Sequence, residues 1–468
     1  MSTPADLTAT ELVAAYSAGE LSPLEATSDV LERIDELNGQ VRAFCLLDAD
    51  RALAAAKAAE QRWQHGQPQG LLDGVPTSIK DVFLTKGWPT LRGSKVVSPD
   101  QDWPVDGPPV ARLREHGAVL LGKTTTPELA WKAVTDSPLF GVTVNPWDTS
   151  RTPGGSSGGS ATAVALGMGP LSMGTDGGGS VRIPASFTGT VAMKPTYGRV
   201  PHWPASPFGT LAHAGPMGRT VADTALLLDV VSGPDTRDWS ALPPTTGSYS
   251  SALGNGVLGL RIALSPTLGY VDVDPDVADA VEAAAQVFCH LGAEVEIADP
   301  GFPDCVEDFH VLWFTGLAKT VSRLTLDERE LMEPALLKVV AEGERCSALD
   351  YLAATATRMA MGTTMGAFHE RYDLLLTPTV PITPFLAGEE VPIGWHLPRW
   401  TSWTPFTYPF NMTQQPAASV PCGWSATGLP IGLQVVGPRH SDARVLAACA
   451  AYERVTTWTH RRPPLLPP

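Results

Sequence analysis

Apolar residues near the start of the chain recur at the three- and four-residue spacing of an amphipathic helix. Ser22 and Pro23 fit the N-cap and the first turn of such a helix. Its apolar side then consists of five residues: Leu24, Val30, Leu31, Ile34 and Leu37. Asn38-Gly39 is typical of a helix end, and an alanine-rich stretch over 48–63 predicts a further helix. The pattern therefore predicts a helical segment over about residues 1–65.

The pattern changes after residue 70 to short, continuous apolar runs that are typical of buried strands. Such runs occupy 75–79 and 118–121, with a helical stretch over 109–116 between them. Similar runs recur late in the chain, at 260–264, 294–297, 374–378, 419–421 and 432–436. Alternating strands and helices are typical of an α/β fold in which helices cover both faces of the sheet. We therefore expect a single large domain around one mixed β-sheet that is built from both ends of the chain.

Composition narrows the class of protein. Hydrophobic residues make up 43% of the 468 residues and charged residues 18%, which supplies enough apolar side chain for a large core. The net charge of −16 repels phosphate backbones, so we expect no nucleic acid partner. The N-terminus lacks a secretory signal, and no stretch approaches the roughly 20 apolar residues of a spanning helix, so we expect no membrane association. Six scattered cysteines without metal-ligand spacing indicate reduced thiols, a cytoplasmic location and no metal site.

Three segments combine a lysine and several serines with runs of glycine. They are 74–81 (GVPTSIKD), 154–160 (GGSSGGS) and 174–184 (GTDGGGSVRIP). A glycine run before a serine lets successive backbone N–H groups converge on one point, because no Cβ blocks the required dihedral angles. A buried lysine can act as a base, because burial lowers its pKa from about 10.4 toward neutrality. Cleavage of an amide requires these parts: a nucleophile, a base and donors for the developing oxyanion.

Each segment taken alone has a simpler interpretation. The run over 154–160 resembles a flexible linker, but the apolar, helix-forming residues after it argue against that. Its G-x-S-x-G spacing matches a nucleophile elbow, which needs a strand directly before the serine, whereas 152–153 predicts a turn. A phosphate loop would need Gly-Lys-Ser/Thr after the glycines, and none follows. A lysine at position 80, without the other two segments, would be interpreted as a solvated surface residue.

Taken together, the three segments resemble the amidase signature family in residue type, order and spacing. The resemblance continues through 194–199, 374–379 and 428–437, so it covers nearly the whole chain. It implies that Lys80 is the base, that Ser156 relays protons and follows a cis peptide bond, and that Ser180 is the nucleophile. It also implies that backbone N–H groups form the oxyanion hole, at Gly177, Gly178, Gly179 and Ser180. Flanking residues are assigned supporting roles: Ser157, Asp176 and Arg182.

The resemblance further implies the amidase signature fold, an α/β domain over 1–468. We expect a helical N-terminal segment over about 1–65, a catalytic core over about 70–220, and a remainder that completes the sheet and the substrate pocket. Hydrolysis of carboxylic amides would pass through an acyl-enzyme and need no cofactor. Gly177 stands where a larger residue is common in the family, which predicts a more mobile oxyanion loop, and Thr125 replaces a frequent asparagine.

The substrate is predicted from an aromatic-rich segment near residue 400. Four side chains there are candidates to line a hydrophobic pocket: Trp395, Trp400, Trp403 and Phe406. Large aromatic residues are as often part of the core, and that interpretation stays open. A pocket with such a lining would favour a neutral hydrophobic or aryl amide, with esters or carbamates as further substrates.

Two other functions stay open. Within the family, the chain could be the glutamine-hydrolysing component of a transfer-RNA-linked amidotransferase, which needs a partner protein. From a different class, it could be a catalytically silent member that binds a ligand, although the intact set of Lys80, Ser156 and Ser180 argues against this. Otherwise the expected partner is a small-molecule amide, and a homodimer is compatible with the sequence.

Overall fold

A computed structural model describes residues 3–466 and contains a central sheet of eleven strands and a separate two-stranded hairpin. The strands are β1 (Phe44–Leu47), β2 (Pro76–Lys80), β3 (Val119–Thr124), β4 (Asp136–Ser137), β5 (Gly141–Val142), β6 (Leu171–Asp176), β7 (Val191–Lys194), β8 (His213–Gly218), β9 (Arg261–Leu264), β10 (Glu294–Ile297), β11 (Leu374–Pro378), β12 (Ala417–Trp424) and β13 (Pro430–Val436). The order across the large sheet is β1-β3-β2-β6-β8-β7-β12-β13-β11-β9-β10, and β4 pairs with β5.

The large sheet is mixed, as the sequence predicts. Strand β2 is parallel to both β3 and β6, and β9 is parallel to both β10 and β11, whereas the central pairs are antiparallel. The first six strands across the sheet are β1, β3, β2, β6, β8 and β7, and they come from the first half of the chain. The other five strands come from the second half. The halves meet where β7 pairs with β12, in the register Ala417 opposite Lys194. The prediction of one sheet built from both ends of the chain is confirmed.

Fifteen α-helices lie in the described part of the chain. They are α1 (Ala9–Ala18), α2 (Pro23–Val41), α3 (Ala49–Gln64), α4 (Pro108–Glu115), α5 (Gly158–Ala165), α6 (Arg182–Thr188), α7 (Val221–Val231), α8 (Tyr249–Ala252), α9 (Pro275–His290), α10 (Val306–Val321), α11 (Leu326–Glu330), α12 (Pro334–Gly343), α13 (Ala348–Arg371), α14 (Pro409–Met412) and α15 (Asp442–Glu453). Helix α2 continues past the predicted end at Asn38-Gly39, because the left-handed residue that terminates it is Arg42, with φ of 53°.

Both faces of the sheet are buried under helices. Within β11, Leu374 and Leu376 pack into one apolar cluster and Leu375 packs into another, as the two-residue period of a strand requires. In β3, Leu120 and Val119 divide between two clusters in the same way. One face is covered by α1, α4, α7, α9 and α15. The other is covered by α2, α3 and α5 at one end and by α10, α12 and α13 at the other. The predicted fold class is confirmed.

Membrane insertion finds no support in the helices. Every helix within residues 3–466 is too short or too polar to cross a bilayer.

Candidate active site

The candidate site lies where two parallel strands end side by side. Lys80 is the last residue of β2, and Asp176 is the last residue of its parallel neighbour β6. The carboxyl ends of parallel strands meet at one edge of a sheet, which is where α/β proteins bind ligands. The glycine-rich loop from Gly177 to Ser180 follows β6 directly. The topology therefore brings the first and third sequence segments together.

Lys80 is fully buried beside two hydroxyl groups. Its Nζ lies 2.7 Å from Oγ of Ser156 and 2.9 Å from Oγ1 of Thr175. Burial lowers the pKa of Lys80 well below its usual value, because it penalises the ammonium form, while the carboxylate of Asp176 opposes the shift. An amine held in this way is neutral more readily than that of an exposed lysine.

The two serines belong to segments that touch. The peptide bond between Gly155 and Ser156 is cis, as the family resemblance implies. The next residue, Ser157, donates its backbone N–H to the carbonyl of Ser180 over 3.1 Å, and its Oγ donates to the carbonyl of Thr175 over 3.2 Å. Ser156 and Ser180 then border the same cavity, together with Thr175 and Gly177. Ser157 thus links the second segment to the third.

The glycine loop is held from inside by Asp176. The N–H of Gly179 donates to Oδ1 of Asp176 over 2.8 Å, and the N–H of Val181 donates to Oδ2 over 3.3 Å. Gly179 has a φ of +125°, which only glycine adopts readily. Since its N–H already has a partner, Gly179 is a poor oxyanion donor, contrary to the expectation from the sequence. For Gly177, Gly178 and Ser180 this role stays a prediction, and of these three Gly177 and Ser180 line the cavity described below.

Asp176 forms a fully buried ion pair with Arg182. Two parallel hydrogen bonds join them, at 2.9 Å from Nε to Oδ2 and at 2.8 Å from Nη2 to Oδ1. Although burial alone would raise it, the pKa of Asp176 is lowered well below its usual value by the guanidinium of Arg182. Arg182 also donates to three acceptors from the second half of the chain: the Thr407 carbonyl, Oδ1 of Asn411 and Oε1 of Gln434.

The cavity beside the serines has a volume of about 180 Å³ and mainly apolar walls. Phe208 and Trp313 stack within it, with ring centroids 3.6 Å apart. Arg92 is the one charged side chain that lines it in the described part of the chain, because burial lowers the pKa of His202 to about 4 and keeps that ring neutral.

The aromatic residues predicted from the sequence do not line this cavity. Trp400, Trp403 and Phe406 are buried in the core, where Trp403 stacks on Phe187 at 5.7 Å. Their segment packs behind the glycine loop rather than in front of it. Trp395 borders a different, larger cavity of about 710 Å³, whose lining includes none of Lys80, Ser156 and Ser180. The core interpretation therefore holds for Trp400, Trp403 and Phe406, whereas Trp395 is half-buried beside the larger cavity.

Sequence reasoning misses the residues that shape the cavity. Nothing in the sequence singles out Thr175 as a partner of Lys80, although it lies within one of the three glycine-rich segments. Trp313 lies in α10, whose sequence pattern is that of an ordinary apolar helix. Leu129 lies in a short 3-10 helix (Glu128–Ala130) and has a left-handed φ of 52° that its sequence does not predict. Only the fold brings these residues together.

The geometry agrees with what comparison with known proteins finds. The Amidase family model matches residues 25–446. The chain belongs to the amidase signature family. It is a hydrolase that acts on carboxylic amide C–N bonds.

Relatives of this amidase include enzymes with different substrates. It is 37% identical to an acylamidase of Rhodococcus erythropolis over 98% of this chain and 97% of the relative. It is 36% identical to the A subunit of the glutamyl-tRNA(Gln) amidotransferase of Chloroflexus aggregans over 98% of each chain. A bacterial aryl acylamidase of the amidase signature family superposes with a TM-score of 0.91 and 32% identity over 97% of each chain. These relatives are named for different substrates.

Replacement of Arg182 by leucine should lower the free energy of unfolding by about 3–5 kcal/mol, because it leaves the carboxylate of Asp176 buried without its cation. The control is Arg237→Leu, which removes a similar two-bond pair with Asp235 that lies near the solvent. This control should lose less than about 1 kcal/mol. Urea unfolding followed by circular dichroism measures both. Similar small losses in the two variants would contradict the role given to the buried pair.

Proposed function

We propose that this amidase hydrolyses neutral, hydrophobic amides, with a preference for aryl amides, through an acyl-enzyme on Ser180. Ser156 relays protons and Lys80 is the base. One observation carries the proposal: the buried amine of Lys80 lies 2.7 Å from Oγ of Ser156, at a cavity that Ser180 also lines. This placement supports an arrangement of nucleophile, relay and base of the kind that acyl transfer needs.

In the proposed acylation, Ser180 Oγ attacks the amide carbon while its proton passes to Ser156. Ser156 in turn gives its own proton to Lys80. Negative charge then develops on the carbonyl oxygen, which the N–H groups of Gly177, Gly178 and Ser180 would stabilise. Lys80 returns the proton through Ser156 to the leaving nitrogen, the C–N bond breaks, and the acyl group stays on Ser180.

In the proposed deacylation, water takes the place of the amine. Lys80 removes a proton from water through Ser156, and the water oxygen attacks the acyl carbon. The proton then returns to Ser180 as the ester bond breaks and the carboxylic acid leaves. Each cycle restores the neutral amine, so Lys80 must have a pKa near or below the working pH.

The cavity supports a substrate without a charged ammonium group. Its lining includes no carboxylate among residues 3–466, so a substrate ammonium would lose water without gaining a partner. A volume of about 180 Å³ is close to that of an apolar cavity of about 150 Å³ that holds benzene. One aryl ring fits such a space. The bacterial aryl acylamidase among the similar structures is named for an aryl substrate.

A second candidate is the hydrolysis of glutamine as the A component of an amidotransferase. The 36% identity to such a component favours it. Free glutamine carries an ammonium group, however, and the cavity offers no carboxylate to bind one among the residues that the structure describes. Aryl amides therefore remain the first choice.

Removal of any member of the proposed triad should abolish turnover without unfolding the protein. We expect Ser180→Ala and Lys80→Ala each to lower kcat/KM by about a thousandfold or more, because the members act as one unit. Ser160→Ala is the control, because Ser160 lies in the same glycine-serine run as Ser156 but outside the proposed triad. Its Oγ lies 2.7 Å from Oγ1 of Thr124 within the core. It should change kcat/KM by less than about tenfold. A fluorophosphonate should label Ser180, and a label found on another serine would rule out the nucleophile.

The pH dependence should follow the lowered pKa of Lys80. Only the neutral amine accepts a proton, so kcat/KM for a neutral anilide should rise as the pH rises through that pKa and then stay level. An unperturbed lysine would instead keep the rate rising to about pH 10. Initial rates from pH 5 to pH 10 distinguish the two. A tenfold rise per pH unit that persists to pH 10 would contradict a depressed pKa.

The substrate assignment can be tested separately from the mechanism. We expect kcat/KM for acetanilide to exceed that for glutamine by at least about a hundredfold, because the aryl ring meets apolar walls and the ammonium group of glutamine meets no carboxylate. Isobutyramide, a neutral amide without an aryl ring, separates the effect of charge from that of the ring. Preference for glutamine, or activity that appears only with a copurifying protein, would favour the amidotransferase.

A further inference from the structure

The three glycines of the nucleophile loop each face a neighbour where a side chain would otherwise be. A Cβ at Gly177 would lie 2.7 Å from Cζ3 and 2.9 Å from Cη2 of Trp313. A Cβ at Gly178 would lie 2.9 Å from Cζ of Phe309 and 3.0 Å from Cη2 of Trp400. Cβ atoms in proteins essentially never approach other atoms closer than 3.0 Å. The space beside Gly177 is therefore already filled by the indole of Trp313.

Trp313 cannot easily make room for a side chain. Its Nε1 donates to the carbonyl of Trp131 over 3.1 Å, and its ring stacks on Phe208 at 3.6 Å and on Phe309 at 5.4 Å. Trp400 meets it edge-on at 5.7 Å. These contacts surround a side chain that is only 2% exposed. A group added at position 177 would displace the loop rather than the indole.

Trp313 and Gly177 also border the cavity that contains Ser156 and Ser180. We propose that they form a complementary pair that sets the width of this cavity: the missing side chain at position 177 admits the edge of Trp313, and the indole, stacked on Phe208, then forms a flat aromatic wall that selects flat aryl amides. This inference rests on the proposed function and names the feature that determines its substrate class. Packing of this kind also gives no support to the greater loop mobility expected from Gly177.

A double-mutant cycle on kcat/KM for acetanilide tests the pair. Gly177→Ala should lower kcat/KM at least about tenfold in the natural background, because the added Cβ displaces the loop that carries Ser180. In a Trp313→Phe background the same change should cost less than about threefold, because phenylalanine lacks the outer ring atoms that contact the Cβ. An equal loss in both backgrounds would overturn the pairing.

Gly178→Ala provides a matched control. It adds the same methyl group to the same loop, but its neighbours are Phe309 and Trp400. The loss of kcat/KM that Gly178→Ala causes should therefore be of similar size in the natural and the Trp313→Phe backgrounds. If Trp313→Phe rescued Gly178→Ala as well, it would merely relax the site as a whole, and the specific pairing with Gly177 would be overturned. Trp313→Met is a second background that fills most of the space with a flexible chain, in case the phenylalanine variant does not fold. Thermal unfolding confirms that each variant used is folded.

The selection of flat aryl groups has its own measurement. The ratio of kcat/KM for the non-planar N-cyclohexylacetamide to that for acetanilide should rise at least about fivefold in Trp313→Phe, because the smaller ring leaves more space beside the nucleophile loop. An unchanged ratio would overturn the selection. If the natural enzyme cleaves no anilide, the proposed function fails, yet the pair can still be tested by the rates at which small and bulky fluorophosphonates label Ser180. If the labelling rate then depended on probe size in the same way in the natural protein and in Trp313→Phe, the inference would be overturned independently of the proposed function.

Discussion

The ion pair between Asp176 and Arg182 lies out of contact with water, and the geometry of the candidate active site depends on it. Two charges in a protein interior are tolerated only when each has all its hydrogen bonds. Asp176 meets this condition with the N–H groups of the nucleophile loop, and Arg182 meets it with acceptors from the second half of the chain. The loop is therefore fixed by the same contacts that join the two halves of the sheet.

The pair also affects the charge of Lys80. The carboxylate of Asp176 favours the ammonium form of this lysine, whereas burial favours the neutral amine. Burial is the larger of the two effects, so the pKa of Lys80 falls. A carboxylate outside the proposed proton relay thus influences the charge of the residue proposed as its base.

Much of the fold could be predicted from the sequence, because buried strands are continuous apolar runs and the strand at Lys80 is one of them. The positions of the serines and the lysine could be predicted because a glycine-serine motif is local in the chain. The walls of the cavity could not, since Trp313 and Gly177 are far apart in sequence and their fit depends on where α10 lies. The aromatic segment near Trp400 could not be placed either, because its composition is the same whether it faces a ligand or packs behind a loop.

The pairing of β7 with β12, which joins the two halves of the chain, has a consequence for synthesis on the ribosome. Two of the acceptors of Arg182 lie 225 and 252 positions further along the chain, at Thr407 and Gln434. A nascent polypeptide that carries the lysine and both serines therefore still lacks the partners that hold the guanidinium. Contacts between such distant positions slow folding, because a long loop must close before they form. We therefore expect hydrolytic competence to arise late, when the last strands enter the centre of the sheet, because a chain that stops before Thr407 lacks both acceptors.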